Sequence, residues 1–513
     1  MNINNSISTT VNFIIFFLLS LLILCSCRSK TNKNEINNAL IVNQNEFLEK
    51  NENFRSKFED KISEIYKKNN LVGDFLLAVV NEKGLVYSFA INNEIVNNNP
   101  TSLDNNSPIY IASHTKAFTG TLLKIMAEKD IIDLDKSVYE YLPELTLHDS
   151  IDTRKIKVRQ LLNHTHGMYS TMFTWRTAFL GYEGGDIELI NDFNKNYKFD
   201  PSHKFRYSNT GPILAAMIVE KLTGNSWKDE LSKYIFKPLE MFNSSANVSD
   251  FDPKKIRPIT TVAKDGNIFR SGFYKENITM HASGGIISTI NDLSKWLKTN
   301  INQENKIFQK EGSWEELHSV TADQNRTFFT YKRHGYSLGW DIATYQNDTI
   351  ITRFGGYAGS VFHTSFIPSK KIGIIAFSTD NRATSLTHLA ANYVYNTLSN
   401  LSNAEEIFDS EKKLFDKRFD RNSKQLIDYN DLLEPNDKNN FIIGTFTNDF
   451  GWPNIEISRT KNSYEMKWGI LNGTIYNFTD PESPFIASLG ALNRRFNVSN
   501  DSLFTGSLIY IKK

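Results

Sequence analysis

Cysteine is almost absent: the two in 513 residues, Cys25 and Cys27, both stand within the first 27. The rest of the chain can hold no disulfide, so its stability must come from packing. Net charge is nearly absent too. With 58 basic and 57 acidic residues the formal charge is +1, which leaves no electrostatic footprint for DNA or RNA. The strongly apolar run Val11 to Leu24 falls short of the roughly 20 residues a spanning helix needs. Metal-ligand spacing is missing as well. His164 and His166 have no further histidine or carboxylate at ligand spacing, so no metal is expected and no cofactor is called for. Gly284-Gly285 reads as a tight backbone approach, since no strand, Gly-rich loop and lysine surround it.

What is present suits a large enzyme. A 40% hydrophobic, 12% aromatic chain of this length buries a sizeable core and predicts two domains. The apolar run ends in Leu24-Cys25-Ser26-Cys27, which is similar to the lipobox of bacterial lipoproteins. That predicts a signal peptide over 1–26, an acylated Cys27, a solvated Asn- and Lys-rich tether over 27–45, and a membrane-anchored protein of the bacterial cell envelope. The leader MNINNSISTT departs from the pattern in having no Lys or Arg; the alternative is an uncleaved anchor helix. The many Asn-x-Ser/Thr triplets follow from the abundance of asparagine and carry little weight.

Residues 46 to 68 place Phe47, Phe54, Phe58, Ile62 and Ile65 at helical spacing. DFLLAVVNEKGLVYSFAINNEI, 74 to 95, reads as two strands around Glu82-Lys83-Gly84. Next comes YIASHTKAFTGTLL, with Ser113 and Lys116 three positions apart where an apolar strand-like run becomes a buried-helix pattern. A serine there sits at a helix N-terminus, where unpaired N–H groups favour developing negative charge. Lys116 lies one turn on, and burial would favour its neutral, proton-accepting form. The plainer reading is an N-cap serine beside a solvated lysine. The spacing alone is weak, since Ser410 with Lys413 and Ser458 with Lys461 repeat it. Support comes from FRYSNTGPILAAMIVEKLTG, 205 to 224. There Tyr207 is placed to relay a proton and Asn209 to hold a substrate carbonyl, again at the mouth of an apolar helix.

With these segments stand DKSVYEYLPEL, VRQLLNHTHGM, IFKPLEMFNSS, HASGGIISTINDLSKWL, YSLGW and FGGYAGSVFHTSFIP. In this order, from about 58 to 400, they resemble the serine β-lactamase and penicillin-binding protein superfamily, in its class C-like branch of D,D-carboxypeptidases, D-amino-acid peptidases and esterases. The resemblance implies an α/β (α+β) fold: an antiparallel sheet flanked by helices, plus a mainly helical part, with the site in the cleft between them. It also implies roles. Ser113 would be the acylated nucleophile, Lys116 its base partner, Tyr207 the general acid/base and Asn209 a substrate ligand.

One element departs. The family's Lys-Thr-Gly or His-x-Gly stretch is read here as Phe354-Gly355-Gly356, with Gly356 retained. The N–H of Tyr357 joins that of Ser113 as the oxyanion hole, and Phe354 stands in place of the cation that reads a substrate carboxylate. Arg353 is expected on the opposite face of its strand. This discounts substrates with a free carboxylate and keeps open a non-catalytic binder of peptidoglycan fragments or peptides. Structural roles are expected for His164, His166, His281 and His363, a rescue of the missing cation by His363 being the alternative for that residue. Trp340 and Tyr357 are expected to shape the cleft wall. Loops 168 to 204 and 300 to 335 are expected to set specificity for a small-molecule or peptide substrate.

The catalytic domain is thus expected over 46–400 and a charged linker with some helix over 401–436. The short alternating segments of 437–513 form a small all-β accessory domain, too small for a large barrel. Its opening FIIGTFTNDFG resembles the lipocalin-like domain appended to such hydrolases.

Overall fold

The computed structural model describes residues 46–513 except 48, 50, 93–102, 183–184, 258, 263–265, 267, 272–274, 425–430, 450 and 491. The leader, Cys27 and the tether therefore lie outside the described residues. No helix among those described is long and apolar enough to cross a membrane.

The chain enters through helix α1 (Glu52–Lys68), whose Phe54, Phe58, Ile62 and Ile65 are buried on one stripe. Strands β1 (Phe75–Asn81) and β2 (Gly84–Ile91) pair as an antiparallel hairpin about the expected turn. After a helical excursion containing α2 (Thr115–Glu128), α3 (Thr210–Thr223) and α4 (Ile290–Asn302), the chain returns to the sheet. It adds β3 (Ala322–Phe328), β4 (Tyr331–Tyr336), β5 (Asp341–Tyr345), β6 (Asp348–Tyr357), β7 (Ser360–Ile367) and β8 (Ile372–Ser378). The spatial order is β2-β1-β8-β7-β6-β5-β4-β3, antiparallel at each pairing. Both ends of the region thus build one sheet.

Alternate side chains of that sheet enter two cores. Leu76, Ala78, Val80, Ile351, Phe362 and Phe377 face α2 and α4; Leu77, Val79, Ile350 and Ile374 face α1 and α5 (Leu386–Leu398). Residues expected to be linker hold helix α6 (Ala404–Ser423), which drives Phe408 and Phe415 into the second core. Its buried Glu411 accepts from Tyr345 and Asn392. The segment is thereby part of the first body.

The accessory domain closes completely. Strands β9 (Gly444–Thr447), β10 (Ile455–Arg459), β11 (Tyr464–Trp468), β12 (Leu471–Asn477), β13 (Phe485–Leu489), β14 (Leu492–Ser499), β15 (Ser502–Thr505) and β16 (Leu508–Lys512) form an eight-stranded barrel. A barrel of eight short strands has an interior narrow enough for side chains to fill. Phe446, Tyr464, Trp468, Phe496 and Tyr510 fill it, and Trp468 donates to the Tyr510 hydroxyl at 3.0 Å.

The barrel packs on the helical stretch 171–180. Met172 and Leu180 enter its core, Trp175 stacks on Trp468, and Arg176 donates to the Gly451 carbonyl at 2.7 Å. Burying two such side chains contributes about 1.5–3 kcal/mol each. Ala358, at the tip of the β6–β7 hairpin, also touches the barrel core.

Candidate active site

Ser113 sits in a single 3-10 turn, Ala112–His114, that leads directly into α2. The turn is bent: Ala112 has φ 45°, a left-handed conformation that costs a non-glycine residue about 1–3 kcal/mol. Room for it comes from Gly355 of β6. A Cβ there would lie 2.2 Å from the Ile111 carbonyl oxygen and 3.0 Å from the Ala112 Cβ. The strand therefore presses bare backbone against the turn that presents the serine. Ser113 itself stays half-buried, open to the cleft.

Lys116 is 1% exposed and makes three contacts: the Ser113 hydroxyl at 3.2 Å, Asn209 Oδ1 at 2.7 Å and the Ser283 carbonyl at 2.7 Å. Burial, reinforced by the nearby Arg353 charge, pushes its pKa far below that of an ordinary lysine. The contacts suit the neutral amine. The amide and carbonyl oxygens can only accept, so they take its two N–H groups. Ser113, which accepts from the ammonium form, is the one partner able to donate, and toward the neutral amine its hydroxyl faces the nitrogen lone pair. The serine proton has somewhere to go.

Tyr207 lies in the loop before α3, its ring 4.8 Å from Lys116 Nζ. Its hydroxyl accepts from Arg353 Nη2. Burial raises its pKa, with Arg353 and the Ser113 hydroxyl opposing that rise, so the phenol keeps its proton at neutral pH and is positioned to donate it. His164 holds this loop. It caps a short helix in the left-handed conformation, accepts from the Ser208 N–H through Nδ1 and from the Arg206 N–H through its carbonyl, and packs its ring 4.6 Å from Tyr207. Burial lowers its pKa, in keeping with a neutral structural ring.

Two expectations about β6 are corrected. Phe354 does not face the cleft: it packs in the opposite layer against Phe328, His363 and His388. Strict alternation then turns Arg353 and Gly355 toward Ser113. The stretch is to be read one residue earlier, as Arg353-Phe354-Gly355, and the cation is present. Arg353 donates through Nε to the Ser113 carbonyl at 3.1 Å and through Nη1 to Asp341 at 2.8 Å.

The oxyanion donor shifts by the same single residue. Ala358 (φ 49°) and Gly359 (φ 104°) form a two-residue turn with both residues left-handed, so Tyr357 and Ser360 are its closing backbone-bonded pair. Alternation along an antiparallel ladder then points the Gly356 N–H away from β7, at the edge β5 leaves open beyond Thr352. Gly356, not Tyr357, offers the second N–H beside Ser113. The Tyr357 side chain instead packs edge-on against Tyr110 at 5.0 Å, over the buried Lys275, and stacks on Phe179.

The remaining sequence candidates fall outside the chemistry. His363 shares the layer of Phe354, bonded to Ser365, and cannot act as a cleft cation. Trp340 is not cleft wall; it is fully buried against Trp296 and Phe366. His166 accepts from the Met168 N–H, and His281 bonds Ser283. Sequence reasoning missed Ser283, although its neighbours Gly284-Gly285 signalled a close approach, and missed Asp341 altogether.

A serine facing an amine whose charged form burial disfavours, on a sheet-and-helix frame of this topology, defines the class: a β-lactamase/transpeptidase-like fold carrying the apparatus of serine acyl transfer. The chain belongs to the Beta-lactamase family, whose model matches residues 58–395. Among curated relatives it is similar to an unguisins hydrolase of Aspergillus campestris, 24% identical over 63% of this chain and 60% of that protein. It is also similar to penicillin-binding protein 4* of Bacillus subtilis, 28% identical over 30% of this chain and 34% of that protein. The chain thus matches less than two thirds of either relative's length. The octameric penicillin-binding protein homologue from Pyrococcus abyssi shares the fold over 89% of this chain and 99% of its own, at TM-score 0.58 and 20% identity. D-amino acid amidase from Ochrobactrum anthropi does so over 60% and 86%, at TM-score 0.51 and 21% identity.

Proposed function

We propose that the protein is a serine hydrolase that cleaves an ester or amide through a Ser113 acyl-enzyme, held at the bacterial cell envelope by a lipid on Cys27. The observation that carries the catalytic reading is the contact set of Lys116. Ser113 Oγ attacks the substrate carbonyl carbon while its proton passes to the Lys116 nitrogen. The carbonyl oxygen takes the negative charge in front of the Ser113 and Gly356 N–H groups. As the carbon–heteroatom bond breaks, Tyr207 gives its proton to the leaving group and the Lys116 ammonium reprotonates Tyr207. Water then attacks the ester by the same route in reverse: its proton passes through Tyr207 to Lys116 and on to Ser113 Oγ, and the carboxylic acid leaves.

Relatives named as a hydrolase and an amidase support ester or amide cleavage of a small-molecule or peptide substrate. Phe354, the residue that would have argued for a silent cleft, is not in it.

The test is turnover of a thioester and an anilide panel by the full chain in detergent. A presteady-state burst that disappears in Ser113→Ala is expected; steady turnover surviving that change would refute the scheme. Incorporation of radiolabelled palmitate, lost in Cys27→Ala, is expected for the anchor.

A further inference from the structure

Asp341 is the first residue of β5 and is 1% exposed. One of its oxygens accepts from Arg353 Nη1 at 2.8 Å. The other accepts from Gln324 Nε2 at 2.9 Å and lies 3.5 Å from Arg333 Nη1. Gln324 is itself fixed by a 2.7 Å bond to the Gly335 carbonyl. The carboxylate is therefore clamped before any substrate arrives.

Its effect falls on Arg353, the cation facing Ser113. Each of the three guanidinium nitrogens already has a protein acceptor: the Ser113 carbonyl, Asp341 and the Tyr207 hydroxyl. The side chain is only 5% exposed. Reading a carboxylate needs two parallel N–H bonds from one open edge of the fork. The single Nε–H of Arg353 is spent, each Nη has one of its two N–H groups committed, and the Asp341 charge beside it offsets its field. An incoming carboxylate would meet a cation already neutralised, and would lose its own hydration for little return.

We propose that Asp341 is a specificity-determining residue that commits the cleft cation to Tyr207 and the Ser113 turn, so that the enzyme selects substrates without a carboxylate beside the scissile bond. This deepens the hydrolase reading and rests on it. Arg353 serves the proton path by stabilising the phenolate that forms when Tyr207 donates. Removing the Asp341 charge frees Nη1 for substrate and turns the cleft toward anionic acyl compounds.

The experiment compares S-(benzoylglycyl) mercaptoacetic acid with its methyl ester, which share one scissile thioester and differ only in the carboxylate. The wild-type chain is expected to favour the methyl ester in kcat/KM by about tenfold, the scale of one charge-assisted bond. Asp341→Asn should shift that ratio at least about fivefold toward the acid, and Asp341→Glu, which keeps the charge, should restore it. A merely structural role would lower both rates and leave the ratio alone. An unchanged ratio in Asp341→Asn overturns the proposal. If that variant fails to fold, the wild-type ratio decides: equal or faster turnover of the acid overturns it, and preference for the ester upholds it. Failure of the hydrolase reading looks different, since neither thioester would then be cleaved and no adduct would form on Ser113.

Discussion

Lys116 is a lysine whose charged form the fold disfavours. Its burial has opposite consequences for chemistry and for stability. The amine accepts a proton only when neutral, so acylation should fall as acid protonates Lys116. Because its folded pKa is lowered, the unfolded chain binds the proton more readily, and stability declines as pH drops from the ordinary lysine value toward the folded one. Lys116→Met should cut the acylation rate by about 100- to 10,000-fold. It should also raise stability at neutral pH by about 1 kcal/mol, the usual exchange of function for stability. Stopped-flow acylation and thermal unfolding across pH check both; a variant less stable than wild type at every pH would contradict the buried neutral amine.

Ser113, Lys116, Tyr207 and Asn209 were legible in the sequence because each stands where an apolar helix begins, and helix mouths are where a buried side chain can still meet a substrate. Arg353 was not. Alternation correctly separated residues 353 and 354 onto opposite faces, but nothing local says which face meets the cleft. Both Arg-Phe-Gly and Phe-Gly-Gly supply a glycine, so the register was open by one residue. Asp341 was invisible for a related reason, since its partners lie 12 and 17 positions away on other strands.

At the scale of elements, the strand pressing on the serine turn is as important as the residues that react. β6 can approach because Gly355 has no side chain, and the same closeness sets the bend at Ala112. Gly355→Ala should push the strand and the turn apart, costing about 1–3 kcal/mol of stability. Misplacement of reacting groups by even 1 Å should lower acylation about 100-fold, well beyond the stability loss. Denaturant unfolding and acylation kinetics on the same sample separate the two, and full activity with wild-type stability would show that the contact is not close. Strand existence was readable from alternation, and the β1–β2 hairpin from its turn. The length of α6 was not, because its charged outer face masks Phe408 and Phe415 in composition.

At the scale of the molecule, the barrel is not a free appendage. It shares Met172 and Leu180 with the helical stretch beside the cleft. Arg176, 1% exposed, pairs with Glu188 and Asp192 on its own side and donates to the Gly451 carbonyl across the boundary. Breaking a buried ion pair by removing one partner costs about 3–5 kcal/mol, so Arg176→Met should lower the melting temperature and separate barrel unfolding from that of the sheet domain. Differential scanning calorimetry reads this directly; a single transition at the wild-type temperature would mean that the boundary contributes little. The sequence marked the barrel's strands by their alternation, but closure depends on which strands meet, and only the fold reveals that.

The most direct single measurement is the intact mass of the chain after exposure to a fluorophosphonate at neutral pH, with Ser113→Ala beside it. One adduct per chain, mapped to Ser113 and absent from the variant, is the predicted result. No adduct on the wild-type protein, or an adduct that persists in Ser113→Ala, would contradict an activated serine at this position.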